Sequence, residues 1–294
     1  MNARGTAMRK LISLLAIGLL AAACTGAGAS GSTRPTPAST YNVATGPDQL
    51  VLRIATGGGL VPIEYTLTHM PWFALYGDGL IVIKGPVDAK YPGPLLPDLR
   101  QMRVTPAEIQ KILAAADGAG LLGSDARFDA TGIFDAGTTT FTTIVDGKTH
   151  TIGAYALGYN VAVVDAALAE ARKKLSGFEG ELGNLAAFLG REVTDAGAYE
   201  AAAMRLFIRP AGSFEQDGQA RQVLAWPLSV DPGTAGDPAK APATRCLVVA
   251  GSDLQTFIAV ARTANSLTLW THGINRYSVL VRPLYPDETG CPTS

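Results

Sequence analysis

The stretch from Thr138 to Ile152, "TTTFTTIVDGKTHTI", narrows the choice of folds more than any other part of the chain. Threonine, valine and isoleucine suit the pleated surface of a strand. Asp146-Gly147 at its centre supplies two residues that accept the positive φ of a two-residue hairpin turn. The stretch therefore predicts a pair of antiparallel strands, with His150 on the second. The same logic applies upstream. Leu50, Leu52 and Ile54 alternate with Val51, Arg53 and Ala55, and beyond Pro62 the residues Ile63, Tyr65 and Leu67 alternate with Glu64, Thr66 and Thr68. A period of two predicts strands with one wet face. "FALYGDGLIVI" then places Gly77-Asp78-Gly79 between two apolar runs, a further hairpin.

Helices are equally well marked. Thr105-Pro106-Ala107-Glu108 is a capping box with proline at the first helical position, and Ile109, Ile112, Leu113 and Ala116 lie on one face. Gly118 and Gly120 stop this helix. A second helix is predicted over 162–176, with Val164, Ala167, Leu168, Ala171 and Leu175 on one stripe, Asp165 in the first turn, and Arg172, Lys173 and Lys174 in the last. Ser252-Asp253-Leu254-Gln255 reads as another capping box, opening a helix to Ala264 with Asn265 as a left-handed cap. Val248-Val249 precede it as a short strand, and "SLTLWTHGINRYSVLVRPL" follows as strand, turn, strand. Pro86, Pro92, Pro94 and Pro97 keep residues 85–97 out of any central strand. The expected class is α+β: antiparallel sheets and hairpins with a few packed helices, on a plan compatible with two related helix-hairpin halves over 47–198 and 199–294.

The first 46 residues stand apart. Arg4, Arg9 and Lys10 precede an uncharged run, Leu11–Ala23, of secretory length. That run is shorter than the roughly 20 residues needed to span a bilayer. A start at Met8 instead of Met1 would give a more compact signal. Ala21-Ala22-Ala23-Cys24 resembles a bacterial lipobox, with Ala21 where that family usually has leucine. The resemblance implies a signal peptide over 1–23 and a diacylglyceryl group on Cys24, two lipid chains and so a stable anchor. Residues 24–46 are nearly all Gly, Ala, Ser, Thr and Pro, a composition that cannot offset ordering. They are expected to form a disordered tether with an r.m.s. reach of roughly 25 Å. In its lipobox and its "YGDG" and threonine-hairpin style the chain resembles the broad class of secreted lipoproteins of undefined activity from high-GC Gram-positive bacteria. This implies a place on the extracytoplasmic face of the cell membrane and implies no activity.

Of the three cysteines, Cys24 is assigned to the lipid, which leaves Cys246 and Cys291. An exported protein meets an oxidising compartment, so these two are expected to pair.

Constellations with chemical meaning are sparse. Ile133-Phe134-Asp135-Ala136-Gly137-Thr138-Thr139 resembles the Asp-Thr-Gly-Thr loop of aspartic proteases, and Asp195-Ala196-Gly197-Ala198 is a partial second copy. That chemistry needs two carboxylates sharing one proton, and both loops carry alanine where the family has a hydroxyl. His69, His150 and His272 show no metal-ligand spacing, so no metal and no cofactor are expected. Gly57 to Gly59 lack the Lys-Ser/Thr of a phosphate loop. Trp72, Trp226 and Trp270 suit core packing better than a sugar platform. A net charge of −1 without a basic stripe argues against nucleic acid. The reading is a lipid-anchored, non-enzymatic binding or interaction module whose partners are the membrane, through Cys24, and an extracellular protein or cell-wall ligand. The alternative is a cell-wall or peptide hydrolase using Asp135. A third reading, an inhibitor or chaperone-like module, would present the proline-rich 85–97 loop.

Overall fold

Strand β1 (Leu50–Gly57) follows its alternation from Leu52 on: Leu52 and Ile54 are buried opposite Thr143 and Phe141 of the Asp-Gly hairpin, but Val51, expected on the wet face, is buried too, where the register shifts between Leu50 and Leu52. The computed structural model describes residues 40–292 apart from 88, 162, 194 and 213–219. The expected signal peptide, Cys24 and most of the tether lie outside the described residues.

After β1 come α1 (Ile63–Thr68), β2 (Phe73–Tyr76), β3 (Leu80–Lys84), β4 (Leu99–Arg103), α2 (Pro106–Gly118), β5 (Ala126–Arg127), β6 (Thr138–Val145), β7 (Lys148–Tyr155), α3 (Ala166–Gly183), α4 (Leu185–Leu189) and β8 (Asp195–Ala198). The eight strands form one sheet in the order β5-β7-β6-β1-β2-β3-β4-β8. Then follow β9 (Ala203–Pro210), β10 (Val223–Ala225), β11 (Asp237–Pro238), β12 (Arg245–Ala250), α5 (Gly251–Ala261), β13 (Leu269–His272) and β14 (Asn275–Pro283). These six strands form a second sheet, β10-β13-β14-β9-β12-β11. Only β5–β7 and β10–β13 pair in parallel. The protein is α+β, 22% helical and 32% strand, with no barrel.

Each sheet buries one face under helices. In the first, Leu52, Ile54, Phe73, Leu75, Ile81 and Phe141 meet Ile109, Ile112 and Leu113 of α2 and Leu175, Phe178 and Leu182 of α3. In the second, Leu206, Ile208, Val279 and Val281 meet Leu254, Phe257 and Ala261 of α5, with Trp226 and Trp270 between them. Helix followed by hairpin recurs in both halves, with different wiring. Hairpin β6–β7 joins β1 through its first strand, whereas β13–β14 joins β9 through its second.

The strongest local signals are realised. Glu108 N donates to Thr105 Oγ1 at 3.3 Å and Thr105 N donates to Glu108 Oε2 at 2.8 Å, which closes the capping box of α2. Asp146 and Gly147 take φ of 53° and 71°, as their two-residue turn requires.

Four expectations need correction. Residues 63–68 are the short helix α1, with no buried residue. Their alternation had no sheet face to serve, and Pro62 sets a φ suited to entering a helix. The second helix runs over 166–183, not 162–176. Val164 lies outside it in solvent, Asp165 is its N-cap, and Leu175, Phe178 and Leu182 form the buried stripe. Arg172 is therefore mid-helix and buried, donating to the carbonyls of Phe128, Tyr155 and Ala156 instead of facing a helix end. Helix α5 has no side-chain cap, because Gly251 at φ 56° turns the chain into the helix one residue early and leaves Ser252 inside it. Asn265 is not left-handed; its Oδ1 accepts from Leu267 N in a side-chain turn that competes with the cap.

The end of the expected tether is also docked. Tyr41 N donates to Gln110 Oε1 at 2.8 Å, Gln110 Nε2 returns a bond to Tyr41 O, and Asn42 O accepts from Asp146 N at 2.7 Å. Tyr41 and Val43 pack on the first core. The chain then passes so close to the β2–β3 turn that a Cβ on Gly77 would lie 1.8 Å from Ala44 O.

Gly79 in the same turn combines φ +84° with a backbone contact that would place a Cβ 2.1 Å from Val104 O. Gly79→Ala is expected to cost about 2–4 kcal/mol, from left-handed strain and displacement of the β4–α2 connection together. Denaturant titration checks this; a loss below about 0.5 kcal/mol would show that the turn relaxes freely.

Candidate ligand cleft

Two features place a cavity at the seam between the sheets. Helix α1 is spliced between two strands of the first sheet yet lies on β14 of the second. Glu64 pairs with Arg209 at 3.1 Å, and Arg282 Nε donates to the His69 carbonyl at 3.1 Å. The proline-rich segment leaves β3 of the first sheet and also crosses to the second. Leu95 N donates to Ala264 O, Ser266 N donates to Gly93 O, and the Leu95 side chain enters the second core. Prolines hold this segment extended and without ladder bonds of its own. Among the described residues its one bridge is Pro94 opposite Asn265.

Between α1 and this segment lies a cleft of about 560 Å³, within the size range of small-molecule sites. Its walls are largely apolar: Met70 and Leu99 are buried, with Leu96, Pro94, Pro97 and Val87 beside them. Tyr65 stands at the mouth, its ring 5.1 Å from that of His69 one helical turn on.

Three ionisable side chains line it, and the alternation of strands and turns positions each. His69 caps α1 and has both ring nitrogens shielded from water, without a hydrogen-bond partner among the described residues. Desolvation, and then the charges of Lys84 and Arg282, hold its pKa below the usual imidazole value, so it is neutral at pH 7. Lys84 ends the otherwise apolar β3, "LIVIK", and reaches the rim. Loss of hydration lowers its pKa. Among the described residues its ammonium makes no hydrogen bond or ion pair. Asp98 also lines it, next to Leu99, the strand partner of Lys84. Its carboxylate lies over Gly85, where a Cβ would come within 2.2 Å of Oδ2, and its carbonyl accepts from Gly85 N.

The C-terminal tail backs the cleft. Tyr285 OH donates to Pro71 O at 2.9 Å. Asp287 accepts from Arg53 at 2.6 Å and from Tyr76 OH at 2.8 Å. Arg282 and Glu288 form a double-pronged pair, both bonds 2.7 Å. Beyond it Cys246 and Cys291 are disulfide-bonded, Cα atoms 6.0 Å apart, as their expected pairing requires.

The other sequence candidates fall elsewhere. Asp135 precedes β6, its carbonyl accepting from Leu60 N. Asp195 lies on β8, ion-paired to Arg100. Five strand steps separate β6 from β8, roughly 24 Å at the usual strand spacing. The two carboxylates cannot share a proton, and the aspartic-protease arrangement is not assembled. His150 Nδ1 bonds Gly123 O at 2.7 Å on the threonine hairpin, and His272 pairs with Asn275 beside a turn. Trp72 packs against the first core and Trp226 and Trp270 in the second. Among the described residues no cluster of His, Cys, Asp or Glu could hold a metal ion, and no helix is long and apolar enough to cross a membrane. Cys24 lies outside the described residues.

Sequence reasoning missed Lys84, Met70 and Leu99 as a group, and treated His69 as an isolated residue near Glu64. The available signal was the lysine closing an apolar strand directly before a proline-rich segment. No family model matches the chain, and no curated protein or solved structure matches it.

Proposed function

We propose that this protein is a binding module held on the extracytoplasmic face of the membrane by lipid on Cys24, and that it takes a small ligand into the cleft between α1 and the proline-rich segment. The observation that carries the binding reading is the cleft itself: an apolar volume of about 560 Å³ at the seam of two sheets, lined by an ammonium and an imidazole that have no hydrogen-bond partner among the described residues. Polar groups withheld from internal hydrogen bonds next to an apolar pocket are what a ligand's polar end requires. The anchoring half rests on the basic, apolar and small-residue order of residues 4–24.

One experiment tests both halves. The full chain is produced in a Gram-positive host, and its membrane fraction is compared with that of the Cys24→Ser variant. The purified wild type is then examined by native mass spectrometry. Wild type is expected in the membrane fraction, and the variant in the medium or uncleaved. Unchanged membrane retention with normal processing would overturn the lipid anchor. A bound small molecule displaced by substitutions in the cleft supports the binding reading, and its absence across envelope extracts would overturn it.

A further inference from the structure

The chemistry of the walls narrows the ligand. The apolar surface runs continuously from buried Met70 and Leu99 to Leu96, Pro97 and the outward-facing Val87. Among the described lining residues Tyr65 is the one large aromatic, with the smaller His69 ring beside it, so the cleft offers little for stacking a flat ring between two planes and much for an aliphatic body. Its ionisable lining groups among the described residues are Lys84, His69 and Asp98, with Lys84 as the cation. A lysine carries three donors and no acceptor, and the neutral imidazole of His69 adds at most one donor. Among the described residues, Arg282, engaged by Glu288, acts on His69, and Asp98, held over Gly85, lies beside Lys84. Arg282 has its carboxylate; among the described residues Lys84 is paired with none.

We propose that the cleft binds a single-chain amphiphile with an anionic oxygen head, in its simplest form a carboxylate, its chain lying against Met70, Leu96 and Leu99 and its head meeting Lys84. This deepens the binding reading above and rests on it. Burying the chain supplies the apolar part of the affinity, and the head replaces hydration that Lys84 has already partly lost. Asp98, beside Lys84, sets the selectivity in the other direction, because its charge opposes the bound anion.

The test uses the full chain and three probes: dodecanoate below its micelle concentration, dodecanol with the same chain and no charge, and phosphatidylglycerol vesicles. Isothermal titration is run on wild type, Lys84→Met and Asp98→Asn. Lys84 and Asp98 are on the surface, so both variants should fold, and unchanged melting temperatures confirm it. Wild type is expected to bind dodecanoate. Lys84→Met should weaken that binding about tenfold, the loss of one partly desolvated charge pair, and leave dodecanol unaffected. Asp98→Asn should strengthen dodecanoate binding. Binding of dodecanoate and dodecanol with equal affinity, unchanged in Lys84→Met, would overturn the anionic head while leaving the cleft as a binding site. Binding of neither probe would overturn the amphiphile while leaving the wider binding reading to its own test. Lys84-dependent retention on vesicles without uptake of free dodecanoate would replace it with surface adsorption.

Discussion

Glu288→Ala is expected to destabilise the protein by about 3–5 kcal/mol, because it strands a buried guanidinium. Arg282 and Glu288 are only 10% and 15% exposed in their side chains. The carboxylate takes two 2.7 Å bonds from Arg282 and one of 2.9 Å from Tyr285 N. Removing it leaves Arg282 with a single partner, the His69 carbonyl. Replacing both members by methionine should cost far less, since no charge is then left buried. The pair also predicts acid sensitivity. Burial pushes the Glu288 pKa up, but the hydrogen bonds and charge of Arg282 outweigh this and hold it below its usual 4.5. A depressed carboxylate contributes stability above the unfolded pKa, and that contribution is lost as pH falls through the folded value. Wild type should therefore lose stability below about pH 4.5, and Glu288→Ala should lose less of it over the same window. Denaturant midpoints at pH 7 and pH 3.5 decide the matter. A change under about 1 kcal/mol at pH 7 would show that Arg282 finds other solvation.

Reducing the Cys246–Cys291 bond is expected to cost about 4 kcal/mol, from the chain entropy released when a loop spanning 45 residues opens. For a domain of this size that is a fall in melting temperature of about 8–16 °C. The tail it secures has no ladder of its own. Residues 284–291 are held by Tyr285, Asp287, Glu288 and the bonds from Arg205 to the carbonyls of Thr289 and Gly290. Cys291→Ser should reproduce the effect of reductant, and adding reductant to that variant should change nothing further. A melting temperature indifferent to reductant would show that the ion pairs alone fix the tail. Thiol counting on the denatured, unreduced protein gives the parallel check: neither Cys246 nor Cys291 should react.

What could be read from the chain was whatever local chemistry decides. The capping box at Thr105, the stripe Ile109–Ala116, and the Asp146-Gly147 turn each depend on residues a few positions apart, and each is realised. The cysteine pair was legible by elimination. The failures share a cause. The pattern at 63–68 is ambiguous in isolation, and its state is settled by β14, two hundred residues away, on which α1 rests. Arg172 looks like a helix-end charge until the three carbonyls that surround it are in place. The cleft was hidden for the same reason. Its walls are close in sequence, 65–70 and 84–99, but they become walls only because both segments leave the sheet that encodes them and rest on the other.

That crossing has a thermodynamic consequence. The segments that line the cleft are also those that cross the seam, so occupancy and the cohesion of the two sheets belong to one linked equilibrium. A ligand held between α1 and the proline-rich segment bridges both, and it stabilises the joined state by RT ln(1 + [L]/Kd) without touching either core. Conversely, whatever loosens the tail behind His69 and Pro71 would weaken the hold on the proposed ligand. Affinity measured at the cleft is therefore a gauge of how firmly the two halves are docked.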